Sequence, residues 1–289
     1  MKYVYFPGCK IPAWLPAYDR STRGVMHRLS IDLIDCEFNC CGYPVRHQHV
    51  EASFLSSARV MALADRHSVS LMTPCMCCYG NLQHAQYWLR ENRVLRQRVN
   101  AVLKRENLHW RPDIRIRHLL QVLKEDLGLA AVAAAVVQPQ NDIRVAAHYG
   151  CHALRPADIV QFDDPQAPII LEDLIAATGA TVVDWPLRLN CCGAPLWEKN
   201  PALSTRLMQK KIEDADRAGA AIICTACTYC QHQFDQIRLK TIPCSPPIPA
   251  VLYPQLLGLS LGIEPAMLGL NENRIQWIQG GTSHESTPG

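Results

Sequence analysis

Cysteine dominates the residues able to do chemistry: the 289-residue chain has 14 of them, and most fall into a pattern that occurs twice. The first copy opens with Gly8-Cys9, continues at Cys40-Cys41-Gly42-Tyr43-Pro44 and closes at Cys75 and Cys78. The second runs Gly150-Cys151, Cys191-Cys192-Gly193-Ala194-Pro195, then Cys227 and Cys230. The step from the second member of the vicinal pair to the first closing cysteine is 34 positions (41 to 75) in one copy and 35 (192 to 227) in the other. The opening cysteine precedes the pair by 31 positions (9 to 40) and by 40 (151 to 191). A loop insertion accounts for that difference at little entropic cost.

A Cys-x-x-Cys pair suits zinc, an iron-sulfur cluster or a redox disulfide about equally well. The vicinal pairs say more. Adjacent side chains on extended backbone point to opposite sides, so two neighbouring thiolates share one tetrahedral ion poorly and suit a centre with several metal atoms. A structural zinc takes four ligands and so does a cubane cluster, whereas each copy offers five. A cluster of unusual geometry, with one thiolate bridging two irons, uses all five. Gly42 and Gly193 fit such a centre because a residue without Cβ lets the backbone bend beside bulky sulfide.

Composition frames what the cysteines mean. With 48% apolar and 19% charged residues, the chain is long enough to bury its own core without disulfide staples. A net charge of +3 is too even for a nucleic-acid-binding or polybasic membrane protein. Pro7 and Gly8 end the first apolar run too early for a signal peptide. The apolar stretches Leu127–Val137 and Ala250–Leu270 are respectively too short and too interrupted to span a bilayer. The expectation is a cytoplasmic protein, where many cysteines signal metal binding or redox chemistry.

The elements that must position these thiols read as a duplicated α/β unit. Tyr3–Phe6 and Ile143–Ala147 are β-prone runs before the opening cysteines, and Ser70–Met72 and Ala220–Ile223 precede the closing ones. Helical patterns at Val25–Ile34, Ala52–Ala64 and Ala202–Arg217 lie between them. Alternation of this kind predicts an α/β fold of two pseudo-symmetric repeats, each a small parallel sheet flanked by helices, with the cysteines at the carboxyl ends of strands. The expected division is residues 1–140, the first repeat with connecting helices over Leu82–Gln140, and residues 141–289, the second repeat with a C-terminal helical extension. Ala250–Leu261 reads as a core or subunit-contact helix.

With these elements in place, the chain resembles the B-type subunit of heterodisulfide reductase, the twin CCG-domain family. The likeness runs through Phe6-Pro7-Gly8-Cys9, both Cys-Cys-Gly-x-Pro segments, Cys75-Met76-Cys77-Cys78-Tyr79 and His118-Leu119-Leu120-Gln121. It continues through Tyr149-Gly150-Cys151-His152 and Val251-Leu252-Tyr253-Pro254-Gln255. The resemblance implies two non-cubane [4Fe-4S] clusters, one held by Cys9, Cys40, Cys41, Cys75 and Cys78, the other by Cys151, Cys191, Cys192, Cys227 and Cys230. It further implies a disulfide bound between the clusters, each delivering one electron, and partner subunits that carry flavin and ferredoxin-like centres. No glycine-rich phosphate loop places flavin or nucleotide on this chain itself. Arginine outnumbers lysine by 21 to 8. That composition points to the related branch in sulfur oxidation, with a disulfide or lipoyl-protein substrate.

Two rival readings stay open: an electron-transfer CCG subunit of a lactate-, glycerol-phosphate- or succinate-type dehydrogenase, and a structural metal-binding scaffold. Cys36, Cys77, Cys224 and Cys244 lie outside the repeated pattern. Cys36 and Cys244 are expected to be buried free thiols. Cys224 could join Cys227, Cys230 and Cys244 in a cubane motif, but Cys227 with Cys230 reproduces the first copy's spacing; Cys77 could likewise replace a neighbour, but Cys75 and Cys78 keep the three-residue step. His148, His152, His47 and His49 neighbour the cysteines and could include a proton donor to a released thiolate, but the expected role is that of hydrogen-bonded wall residues, and none is named as catalytic.

Overall fold

The computed structural model describes residues 1–242 and 248–277; Cys244 lies outside them. Eight short strands form two four-stranded parallel sheets. The first sheet takes β1 (Lys2–Tyr5), β2 (Asp32–Asp35), β3 (Leu71–Thr73) and β4 (Ile116–His118) in the order β2-β1-β3-β4. The second takes β5 (Arg144–His148), β6 (Thr181–Val183), β7 (Ile222–Thr225) and β8 (Ala250–Leu252) in the order β6-β5-β7-β8. Registers match as well: Val4 pairs with Ile34 and Leu71, and Val145 with Val182 and Ile222.

Helices cover both faces, so the inner strands are apolar throughout rather than alternating. Val4, Leu71, Met72, Val145, Ala146, Ile222 and Ile223 are all fully buried. In each sheet the chain leaves the first strand in one direction and returns on its other side. A switch point therefore falls between β1 and β3, and between β5 and β7, where such sheets open a crevice at their carboxyl ends. Cys9 and Cys75 follow β1 and β3, and Cys151 and Cys227 follow β5 and β7.

Three sequence expectations need correction. The stretch Val25–Ile34 is not one helix: the helix Pro16–Arg28 ends, Ser30 takes a φ of 56°, and β2 follows. The segment between the copies is not helical throughout, because it supplies β4. Ala250–Leu261 begins with β8 before the helix Tyr253–Ser260, whose residues are buried and which packs on Pro16–Arg28. The edge strands carry little sequence signal because Ile116-Arg117-His118 mixes in polar residues that only tertiary partners satisfy. Arg117 is buried between Glu125 at 2.6 Å and Asp126 at 2.9 Å.

The longer spacing in the second copy is taken up by residues 155–169. They follow the short helix Cys151–Leu154 and include a turn in which Asp163 accepts backbone N–H bonds from Ile169 and Ile170.

Candidate metal centre

Each vicinal pair is followed by a glycine in the left-handed region, Gly42 at φ 91° and Gly193 at φ 88°. A Cβ on Gly42 would lie 2.6 Å from the Ser53 carbonyl oxygen, and one on Gly193 2.5 Å from that of Ser204. Both serines sit in the first turn of the following helix, Val50–Asp65 or Pro201–Arg217. The glycines are thus required by φ and by a close helix backbone rather than by bulky sulfide. The turn aims the glycine N–H back at sulfur: Gly42 N donates to Cys40 Sγ at 3.4 Å, and Gly193 N to Cys191 Sγ at 3.3 Å.

The opening cysteine of each repeat meets this same sulfur. Cys9 Sγ and Cys40 Sγ stand 3.4 Å apart. Cys40 is drawn down to about 3 by hydrogen bonds from Cys41 and Cys9, with help from Gly42 N and Lys10. Cys191 is drawn down to about 2 by Cys151 and Cys192, then by Gly193 N. Cys9 and Cys151 are pushed up because their thiols donate to the neighbouring thiolate. Cys41 interacts with Cys78, and Cys192 with Cys230. Negative charge therefore settles on the first cysteine of each vicinal pair, as suits binding of a cation.

Cys75 and Cys227 bring the two sets together. Cys75 is held well below the usual thiol range, chiefly by a hydrogen bond from Cys227, and then by Cys77 and Cys78. Pro74, just before Cys75, is clamped by two donors: the Tyr18 hydroxyl and His118 Nε2, the latter at 2.9 Å. Burial lowers His118 to about 4, and its Nδ1 accepts from Leu120 N at 3.1 Å, which fixes the neutral tautomer with Nε2 protonated. Across the repeats, the Tyr43 hydroxyl bonds His152 Nε2 at 3.1 Å, and Tyr79 donates to the Val160 carbonyl at 3.0 Å.

The second set has a buried histidine and a buried lysine beside it. His148 Nε2 lies 3.3 Å from Cys230 Sγ, and the ligand atoms of His148, Cys192 and Cys230 all fall within 4.8 Å of one another. Lys211, 1% exposed, donates to the Leu187 carbonyl and sits 4.4 Å from the Trp185 ring centroid. Burial lowers it to about 8, opposed by Cys192, Cys230 and Cys191. The rim is aromatic and basic: Lys10 Nζ stands 3.3 Å from the Trp14 ring centroid, Trp14 stacks on His232, and Arg46 covers Tyr43.

Of the remaining sequence candidates, His47 and His49 are exposed, while His148 and His152 reach cysteine sulfur. Cys36 is not buried: it is partly exposed, with Sγ 3.1 Å from His67 Nε2. Cys224 is buried within β7, and burial alone pushes its thiol up. Lys211 has no signature in the sequence. A lysine in an amphipathic helix gives no sign that it faces inward.

The chain matches the cysteine-rich domain family CCG twice, over residues 3–83 and 145–235. It is 31% identical to the B-type subunit of the ferredoxin/F420H2-dependent CoB-CoM heterodisulfide reductase of Methanosarcina acetivorans, over 96% of this chain and 95% of that protein. The chain belongs to this family of heterodisulfide reductase subunits. The corresponding subunit of the ferredoxin:CoB-CoM heterodisulfide reductase of Methanosarcina mazei is likewise 31% identical over 96% of the chain and 95% of its own length. The 8-methylmenaquinol:fumarate reductase membrane anchor subunit of Wolinella succinogenes is similar too, at 30% identity over 95% of the chain and 97% of that protein. A hypothetical protein from Helicobacter pylori shares the fold, with a TM-score of 0.77 at 19% identity, over 96% of this chain and 52% of that one. Among the described residues, no helix of this family member is long and apolar enough to cross a membrane.

Proposed function

We propose that this chain is the iron-sulfur catalytic subunit of a heterodisulfide-reductase-like complex. In this reading Cys9, Cys40, Cys41, Cys75 and Cys78 hold one non-cubane [4Fe-4S] cluster, and Cys151, Cys191, Cys192, Cys227 and Cys230 hold the other. Residues 1–140 and 141–289 are its two units. The observation that carries the reading is the meeting of two like cysteine sets at Cys75 and Cys227, each with its vicinal pair folded back onto the opening cysteine of its repeat. A donor set composed of sulfur fits iron-sulfur centres.

When bound, such clusters supply single electrons and iron sites with affinity for sulfur, which together suit the cleavage or formation of a disulfide. The protein's own part is to hold the thiolates, keep water from the buried Cys75, Cys78, Cys227 and Cys230, and place Lys10 and Arg46 at the rim. Electrons pass to or from flavin-containing and ferredoxin-like partners in the cytoplasm, and the arginine-rich composition favours the branch in sulfur oxidation. The second reading, an electron-transfer subunit, is favoured by the 30% identity to a fumarate reductase subunit.

Assay of the reconstituted complex separates these readings. Turnover of a lipoyl-protein disulfide is expected; turnover of a coenzyme-type heterodisulfide alone removes the sulfur-oxidation assignment. Electron transfer with neither disulfide turned over favours the second reading.

A further inference from the structure

Cys77 lies outside the twin pattern, and Tyr229 holds the corresponding place in the second repeat, since 75 matches 227 and 78 matches 230. Tyr229 faces Trp14 and Tyr43, with ring centroids 6.2 Å and 5.4 Å away. The fold therefore accepts a side chain without sulfur at this place, and packing alone does not demand a thiol.

Cys77 nevertheless points into sulfur. Its Sγ is 3.7 Å from Cys227 Sγ and 3.6 Å from His152 Nδ1, and the residue is 3% exposed. Two thiolates bound at ~2.3 Å to one tetrahedral metal atom stand about 3.7 Å apart, so the two sulfurs are already spaced to share one metal atom. The placement is rigid, because Cys77 is the second residue of the 16-residue helix Met76–Glu91. Cys224 is equally buried, yet it sits within a strand, and burial alone shifts its thiol. Burial of a spare cysteine does not by itself bring it to another sulfur.

We infer that Cys77 is a further metal ligand, reaching from the first repeat onto the centre held by the second, beside Cys227. The inference rests on the iron-sulfur reading above. It makes the two centres unequal: the second carries a sulfur cap supplied across the repeat interface, whereas the first, with Tyr229 in the matching place, does not.

The test compares anaerobically purified full-length wild-type protein with Cys77→Ser, Cys77→Ala and the control Cys224→Ser. Iron content, electron paramagnetic resonance of the reduced protein and circular dichroism are measured for each. Folded Cys77 variants are expected to keep the wild-type iron count, with a changed resonance spectrum, while Cys224→Ser superimposes on wild type. Iron lost from the Cys77 variants but not from Cys224→Ser supports the assignment equally. Both Cys77 variants matching wild type in spectrum and iron overturn it and leave the iron-sulfur reading standing. Iron-free wild-type protein overturns both.

Discussion

His148 Nε2 stands 3.3 Å from Cys230 Sγ, and the corresponding position of the first repeat, two residues before Gly8, is Phe6. The same asymmetry recurs one helix away, where Lys211 answers to Val60. Burial holds His148 well below the usual imidazole range, so it faces Cys230 as a neutral ring. Hydrogen bonds and positive charge near sulfur favour the reduced, more negative state of a cluster and raise its potential.

His148→Phe and Lys211→Met should each lower the potential of one of the two centres by several tens of millivolts and leave the other unchanged, ~59 mV being a tenfold change for one electron. Redox titration followed by electron paramagnetic resonance checks this. Equal shifts in both centres would contradict it.

Replacement of the turn glycines should act on one repeat at a time. Gly42→Ala forces a Cβ onto a φ of 91° and to 2.6 Å from the Ser53 carbonyl oxygen, at a cost of about 1–3 kcal/mol from backbone strain alone. About half the iron should be lost. Gly193→Ala should remove the other half, as measured by iron analysis of the two variants and their combination.

His118→Phe should destabilise the protein by about 1–3 kcal/mol, because it leaves the buried Leu120 N–H without its acceptor and removes one of two donors to the Pro74 carbonyl. Denaturant unfolding of the metal-free protein reads this. The same substitution at exposed His47 provides the control, with no measurable change expected.

Much of this architecture is legible in the cysteines. Their matched spacings of 34 and 35 positions already imply duplication, and the β-prone runs before Cys9, Cys75, Cys151 and Cys227 place them at strand ends. The edge strands are not legible, since three residues such as Ile116-Arg117-His118 carry no periodicity and depend on Glu125 and Asp126 to bury Arg117. Nor is the contact between Cys77 and Cys227, 150 positions apart, which exists only because the two carboxyl-end crevices face each other.

Asp235 gives a pH dependence of defined sign. Burial raises its carboxyl to about 6 even though it accepts N–H bonds from Arg274 and Ile275 at 2.7 Å and 3.1 Å. The folded value lies above the unfolded one, so its contribution is full below the ordinary carboxyl range and is lost as pH rises through about 6. Wild-type stability should fall between about pH 4 and about pH 6 relative to Asp235→Asn, as followed by thermal unfolding. Parallel curves would remove this role.

The central claim is that two sets of five thiolates each hold a multi-iron centre. Iron and zinc analysis of anaerobically purified protein, with Cys40→Ala and Cys191→Ala alongside, tests it most directly. About eight irons per chain are expected in the wild type and about four in each variant, from two four-iron clusters. Stoichiometric zinc with negligible iron, or full metal content in both variants, would contradict it.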